Sequence, residues 1–363
     1  MSDHGIEFAR GPSDGVPTHG GTDALGIPEH DFSTNRNACG PCPPVLAALQ
    51  AAHAAQYPDP AYASLRQCLA DFHGVPMRRI VIAGSASEFI HRISAHASRR
   101  GARHASVPRH SYGDYAHAAS TWGLSVRHRA PDTLHACLGE GLHWACDPAS
   151  PLGEPDAAIA AWRSCPGVAG TWRVLDCAYR PLRLHEDEAG GLAVSGLADV
   201  WQLWTPNKAL GMTGVRAAYA IAPQTVADSD LCELAALAPS WVIGAHGVAL
   251  LSTWAGDAAQ RWLRQSLGRL REWKAQQIAL CQQMGWTVIT GHQANYFVAR
   301  LPDACLPKGM SAVAKGLRPH GIKLRDASSF DLPGCVRLGV LPPRSHQALR
   351  RAWEAVCHDG ERS

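Results

Sequence analysis

Apolar positions along this chain switch between two periods, and the switching predicts its architecture. From Pro43 they recur at helical spacing through Val45, Leu46, Leu49 and Ala52, with proline tolerated in the first turn. A second helix is expected over 61–73, after the Pro58-Asp59-Pro60 break. Ile80, Val81 and Ile82 form a short apolar run that ends at Gly84 and reads as a buried strand. Ala86, Phe89, Ile90, Ile93 and Ala97 then fall on one face of an amphipathic helix. Strands are expected near 104–107, 125–128, 142–146, 172–176, 199–204 and 216–221, with helices from 112 and near 155–163. Strands interleaved with helices imply an α/β fold, a mostly parallel sheet covered by helices on both faces, with ligands beyond the strands' carboxyl ends.

Past residue 240 the pattern changes. A long helical stretch over 243–284 precedes strands near 286–290 and 295–300, a helix over 309–317, strands at 321–325 and 335–340 and a final helix from 344. The expected division is an N-terminal arm over 1–40, a large domain over 41–245 and a small α+β C-terminal domain over 246–363 that opens with a long linking helix.

A length of 363 residues with 46% hydrophobic content supports two packed domains with sizeable cores. Cations exceed acids by 34 − 31 = 3 and are scattered, so no basic stripe marks a nucleic-acid partner. The sequence lacks an apolar run of about 18 residues and a signal-like N-terminus, so a soluble cytoplasmic protein without a membrane partner is expected. Twelve scattered cysteines fit reduced thiols, and Cys39-x-x-Cys42 has no second pair at zinc spacing, so no metal is expected. Only Lys208, Lys274, Lys308, Lys315 and Lys323 are lysines. Chemistry that needs a lysine therefore has few places to live.

Candidate chemistry sits near strand ends. Gly84-Ser85-Ala86-Ser87-Glu88 joins a strand to a helix N-terminus, where unpaired backbone N–H groups and the helix dipole favour an anion. Ser85 or Ser87 could equally be a plain N-cap. The strand Val174-Leu175-Asp176 ends in an aspartate with Tyr179 three residues on. The strand Val200–Trp204 leads into Thr205-Pro206-Asn207-Lys208, the first lysine of the chain, and Arg216 follows eight residues later.

This Asp-x-x-Tyr, Thr-x-x-Lys and Arg spacing resembles the pyridoxal-phosphate (PLP) enzymes of the aspartate-aminotransferase fold, fold type I. The matching branch holds histidinol-phosphate aminotransferase and threonine-phosphate decarboxylase. His19-Gly20-Gly21, the stretch from Asp31 to Asn37 and Tyr57-Pro58-Asp59 are similar to the decarboxylase side in particular. The resemblance implies an aminotransferase acting on an amino acid or amino-phosphate, or alternatively a threonine-phosphate decarboxylase of cobalamin biosynthesis.

It also implies roles. Lys208 would form the Schiff base and carry the proton at Cα, Asp176 would pair with the pyridine nitrogen, and Tyr179 would bond the phenolic oxygen. Arg216, Thr205, Ser85, Ala86 and Ser87 would hold the phosphate. Tyr112 would stack on the ring, with His110 as alternate. In a homodimer, Tyr57 would reach the neighbouring subunit's phosphate. Arg337 would grip the substrate carboxylate, Arg325 would meet a second anionic group, and His19 and Asn37 would border the substrate. Two positions depart from the family pattern. Ser150, in Asp147-Pro-Ala-Ser150-Pro-Leu-Gly153, replaces the asparagine that bonds the phenolic oxygen, and Asn207 replaces the usual serine or threonine. Those departures motivate a third reading, a PLP-binding protein with little turnover.

Overall fold

A computed structural model describes residues 20–129, 139–185, 196–306 and 309–361. Along the chain come β1 (His30–Asp31), α1 (Pro43–Gln50), α2 (Ala63–His73), β2 (Ile80–Ala83), α3 (Ala86–Arg99), β3 (His104–Pro108), α4 (Gly113–Thr121) and β4 (Ser125–Arg129). Then follow β5 (Gly141–Cys146), α5 (Ala158–Ser164), β6 (Thr171–Asp176), β7 (Val200–Trp204), β8 (Ala218–Ile221), α6 (Asp228–Ala236), α7 (Ala245–Trp254) and α8 (Asp257–Gln283). The remainder is β9 (Thr287–Val288), β10 (Tyr296–Arg300), α9 (Gly309–Leu317), β11 (Ile322–Lys323), β12 (Arg325–Asp326), β13 (Cys335–Gly339) and α10 (Pro343–Glu361).

The central sheet has the order β2-β8-β7-β6-β5-β3-β4. Strands β7, β6, β5, β3 and β4 run parallel, while β8 is antiparallel to both its neighbours. The expected mostly parallel sheet is therefore present. Every residue of β5, β7 and β8 is buried, as a sheet covered on both faces requires. The period of two sends Val200 and Trp204 to one core with Leu175 and Trp254, and Trp201 and Leu203 to the other with Phe89 and Tyr115.

A smaller antiparallel sheet, β12-β13-β10-β9, carries its own core of Trp286, Phe297, Leu338 and Trp353. Helix α8 joins the two cores: Leu263 and Leu270 belong to the large one, Cys281 to the small one.

Three details differ from expectation. The stretch over 243–284 is broken at Gly256, whose extended backbone (φ −84°, ψ 148°) separates α7 from α8. The strand expected over 321–325 serves two sheets: β11 pairs in parallel with β1, and β12 pairs with β13. Helix α6 was not expected, because it buries only Leu234 and so has a weak apolar stripe.

Candidate active site

The carboxyl ends of β6 and β7 and the N-terminus of α3 open onto one cavity of about 430 Å³. Asp176 closes β6 with its carboxylate buried. One oxygen accepts the Ala178 backbone N–H at 2.9 Å, the other the Tyr115 hydroxyl at 2.6 Å. Burial pushes this carboxyl up from its ordinary pKa, and the Tyr115 hydrogen bond and the charge of Lys208 oppose the push.

After β7 the chain turns at Thr205 and presents Lys208, whose Nζ donates to Thr205 Oγ1 at 3.4 Å and lies 5.4 Å from the centre of the Tyr179 ring. This turn is held from behind. The Asn37 N–H donates to Lys208 O and its side-chain amide to Ala209 O, both at 2.9 Å. Gly40 lies against Gly211, so that a Cβ on Gly40 would come within 2.8 Å of the Gly211 Cα. Asn207 donates to Val215 O at 3.1 Å, which ties the lysine turn to the segment that carries Arg216.

At the N-terminus of α3, Ser85 Oγ accepts the Glu88 N–H at 3.1 Å while Glu88 accepts the Gly84 N–H at 3.0 Å, a reciprocal cap. Ser87 Oγ hydrogen-bonds the Tyr112 hydroxyl at 3.1 Å. Exposed Arg216 stands on the same wall, and among the described residues no carboxylate pairs with it. A helix N-terminus and an unpaired guanidinium facing one space attract an anion.

The opposite wall comes from the small sheet. Arg325 and Arg337 are register partners across β12 and β13, and both are buried. Arg337 donates to Ser150 Oγ at 3.0 Å and Ser33 O at 3.2 Å, and Arg325 to Ser329 Oγ at 2.8 Å and Asp326 O at 3.2 Å. Phe330 lies beneath both guanidinium groups, 4.9 Å from that of Arg325 and 5.5 Å from that of Arg337. Burial, then the neighbouring charge of Arg337, lowers Arg325 to a pKa of about 10. Two buried cations bonded, among the described residues, only to neutral oxygens leave a strong demand for anionic ligands.

Of the residues expected from sequence, Ser85, Ala86, Ser87, Tyr112, Ser150 and Asp176 line the cavity, as do Tyr179, Thr205, Lys208, Arg216, Arg325 and Arg337. Tyr112 rather than His110 faces it; His110 hydrogen-bonds Phe330 O at 2.6 Å. The structure does not bring Asn37 there, because its amide is spent on Ala209 O and Ser266 Oγ behind the lysine turn. Tyr57 is 79% exposed and stacks on Trp241, ring centres 4.4 Å apart, away from this chain's cavity. His19 lies outside the described residues.

Sequence reasoning missed Tyr115, Ser329, Phe330 and Gly20, which line the cavity, and Asn35, whose amide donates to the Tyr179 hydroxyl at 3.4 Å. Tyr115 lies one helical turn beyond Tyr112, a spacing that could have found it. Elsewhere, His96, Asp230 and Glu233 come close enough to share a metal ion, but Arg100 bridges both carboxylates.

The aminotransferase class I and II model matches residues 171–356, which hold Asp176, Tyr179, Lys208, Arg216 and both cavity arginines of the small sheet. The chain belongs to the aminotransferase class I and II family. It is 25% identical over 341 residues to a histidinol-phosphate aminotransferase of Jannaschia sp., covering 90% of each chain. Its fold matches the structure of histidinol-phosphate aminotransferase from Sinorhizobium meliloti in complex with pyridoxal-5'-phosphate, with a TM-score of 0.72, 20% identity and 90% of each chain covered. It matches L-threonine-O-3-phosphate decarboxylase from Porphyromonas gingivalis equally well, with a TM-score of 0.72 and 20% identity over 90% of this chain and 99% of that one.

PLP goes with this family, and the cavity suits it. A buried carboxylate with one hydrogen bond to each oxygen still has lone pairs for a ring N–H, Lys208 supplies an amine that makes no ion pair among the described residues, and the α3 terminus with Arg216 suits a phosphate.

Proposed function

We propose that this aminotransferase takes an amino acid or amino-phosphate as its donor, with Lys208 holding the cofactor. The observation that carries the reading is that Lys208, Asp176, Tyr179 and Arg216 share one cavity with two buried arginines on its far wall. When bound, PLP supplies an aldehyde for the substrate amine and a ring that accepts the electron pair released at Cα. Asp176, ionised, would hold the ring nitrogen and its proton. Tyr179, oriented by the Asn35 amide, would donate to the ring's phenolic oxygen. Ser85, Ala86, Ser87, Thr205 and Arg216 would hold the phosphate. Lys208 is the one lysine among the residues lining the cavity, so its Nζ would carry the proton to and from the substrate Cα. Arg337 would fork onto the substrate carboxylate, and Arg325 onto a second anionic group such as the phosphate implied by the name of the Jannaschia relative. Incubation with histidinol phosphate and 2-oxoglutarate, with glutamate as the measured product, tests the reading; absence of product across this and a panel of other amino donors would overturn it.

A second reading has its own support. Gly20, from the segment resembling the decarboxylase, lines the cavity, and a Cβ there would come within 2.1 Å of Ser33 O, so the close approach requires glycine. Carbon dioxide released from O-phosphothreonine without an added keto acid would favour decarboxylation over transamination.

The working unit we propose is a homodimer in which exposed Tyr57 serves the neighbouring site, and light scattering tests it. The described cysteines are free thiols, which suits the cytoplasm, and no helix among the described residues is long and apolar enough to cross a membrane. Division into an arm to residue 40, a large domain to 245 and a small domain beyond remains our proposal, supported by the separate core of the small sheet.

A further inference from the structure

We propose that Tyr115, a residue outside the expected set, is the positioning residue for Asp176: its hydroxyl holds the carboxylate in place and ionised toward the ring nitrogen. The proposal rests on the PLP reading above and concerns a contact that reading does not use.

The geometry is restrictive. Tyr115 is fully buried in α4, and its ring stacks on Trp144 of β5 with centres 4.5 Å apart and planes 9° from parallel. Tyr112 packs edge-on with it, at 5.8 Å and 86°. A tyrosine has two side-chain torsions, and this packing leaves neither free, so the hydroxyl has one place to be. That place is 2.6 Å from Asp176 Oδ2. A phenol has one proton to give, and a hydrogen bond this short to a carboxylate is of the charge-assisted kind.

The chemistry around Asp176 makes that proton matter. Burial favours the neutral acid, which would accept no proton from a ring N–H and would lose its charge attraction for a protonated ring. Among the groups facing it, Lys208 favours the carboxylate, while the Cys146, Cys177 and Tyr296 side chains are pushed up mainly by burial, with a smaller push from the Asp176 charge, and stay neutral. The Ala178 N–H comes with the turn that follows β6 and bonds the other oxygen. Tyr115 is therefore the side chain that restrains Oδ2 and favours its charge at the same time. Because it reaches Asp176 from α4, the same first turn that presents Tyr112 to the cavity also sets the carboxylate beneath it.

Tyr115→Phe keeps the ring and its stacking and removes only the donor. Two measurements test the proposal. In the protein without cofactor, denaturant melts at several pH values should show the variant less stable than wild type near pH 8, with the gap shrinking as acid protonates Asp176; a gap that is the same at every pH would mean a merely structural tyrosine and overturn the proposal. In PLP titrations followed by tryptophan quenching, the variant should bind about tenfold more weakly, with its acid loss of binding moved up by about one pH unit. In an Asp176→Asn background the same substitution should change affinity little, because the charge it serves is gone. Equal affinity and equal pH profile for wild type and Tyr115→Phe would overturn it. If wild type binds no PLP at all, the reading of the previous section fails instead, and the cofactor-free melts still decide whether Tyr115 favours the Asp176 charge.

Discussion

The two walls of the cavity are built by different means. On the central-sheet wall, each group follows directly from the strand that carries it: Asp176 ends β6, Lys208 follows β7 by one turn, and Ser85 caps the helix that follows β2. Its buried carboxylate is already matched, with Asp176 bonded by Tyr115 and Ala178 and facing Lys208, and among the described residues Arg216 alone is left for an anion. On the small-sheet wall, two guanidinium groups share Phe330 and, among the described residues, find only neutral oxygens. On the first wall the buried carboxylate is held in place before a ligand arrives, as a cofactor that stays bound needs. The second is left electrostatically unfinished, as a site for a transient anion needs.

The largest effect that tests this contrast is at Lys208. Lys208→Ala should leave the far-ultraviolet circular dichroism unchanged, cost about three orders of magnitude in turnover and abolish the cofactor adduct fixed by borohydride. A retained reducible adduct would move the chemistry to another lysine.

Next come two substitutions that should separate the walls. Asp176→Asn should lower kcat about a hundredfold and weaken PLP binding, with a smaller change in KM for the donor. Arg337→Ala should do the reverse, raising donor KM by roughly 30- to 100-fold, equivalent to about 2–3 kcal/mol, while PLP titrations match wild type. If both variants lose cofactor affinity alike, the walls are not distinct. Arg325→Lys is the milder probe: it keeps the charge but loses the fork, and should cost about tenfold in KM for an amino-phosphate and much less for a donor with one anionic group. Equal losses for the two donors would remove the second-anion role.

The same contrast explains how much was legible in the sequence. The central-sheet wall could be read because an apolar run followed by a polar turn is a local signal: Asp176, Tyr179, Thr205 and Lys208 sit in such turns, and Arg216 follows the lysine by eight residues, just before β8. Arg325 and Arg337 came only with the family resemblance; their meeting depends on β12 pairing with β13 in one register, which no local pattern states. The Tyr115–Asp176 bond spans 61 residues and needs β6 and β5 to lie side by side, with α4 packed over them. Asn37 was expected at the site because the stretch from Asp31 to Asn37 resembles the decarboxylase. Its amide instead serves Ala209 O and Ser266 Oγ, a structural use that composition does not distinguish from binding.

The last expected effect is on stability rather than on turnover, and concerns the joint between the walls. Lys274, on α8, is buried and its Nζ donates to His292 O and Ala294 O at 2.8 Å each, holding the segment that leads into β10. That segment in turn meets the Ser150 loop, where the Gln293 N–H donates to Gly153 O at 2.7 Å. Burial lowers the Lys274 pKa from 10.5 to about 7, and a neutral amine has two hydrogens, one for each carbonyl. Below about pH 7 the folded and unfolded chains both hold the proton, and the fold carries the whole cost of a buried charge. Between about 7 and 10.5 the unfolded chain binds a proton that the folded chain does not, so this residue's contribution to stability rises with pH, by about 1.4 kcal/mol per unit at most. Lys274→Met removes both the charge and the two hydrogen bonds. In urea melts at pH 6, 7, 8 and 9, wild type should therefore gain on the variant as pH rises, with the steepest change above pH 7. A difference that stays constant over that range would show Lys274 to be charged throughout, and the joint to be held by an ammonium group rather than an amine.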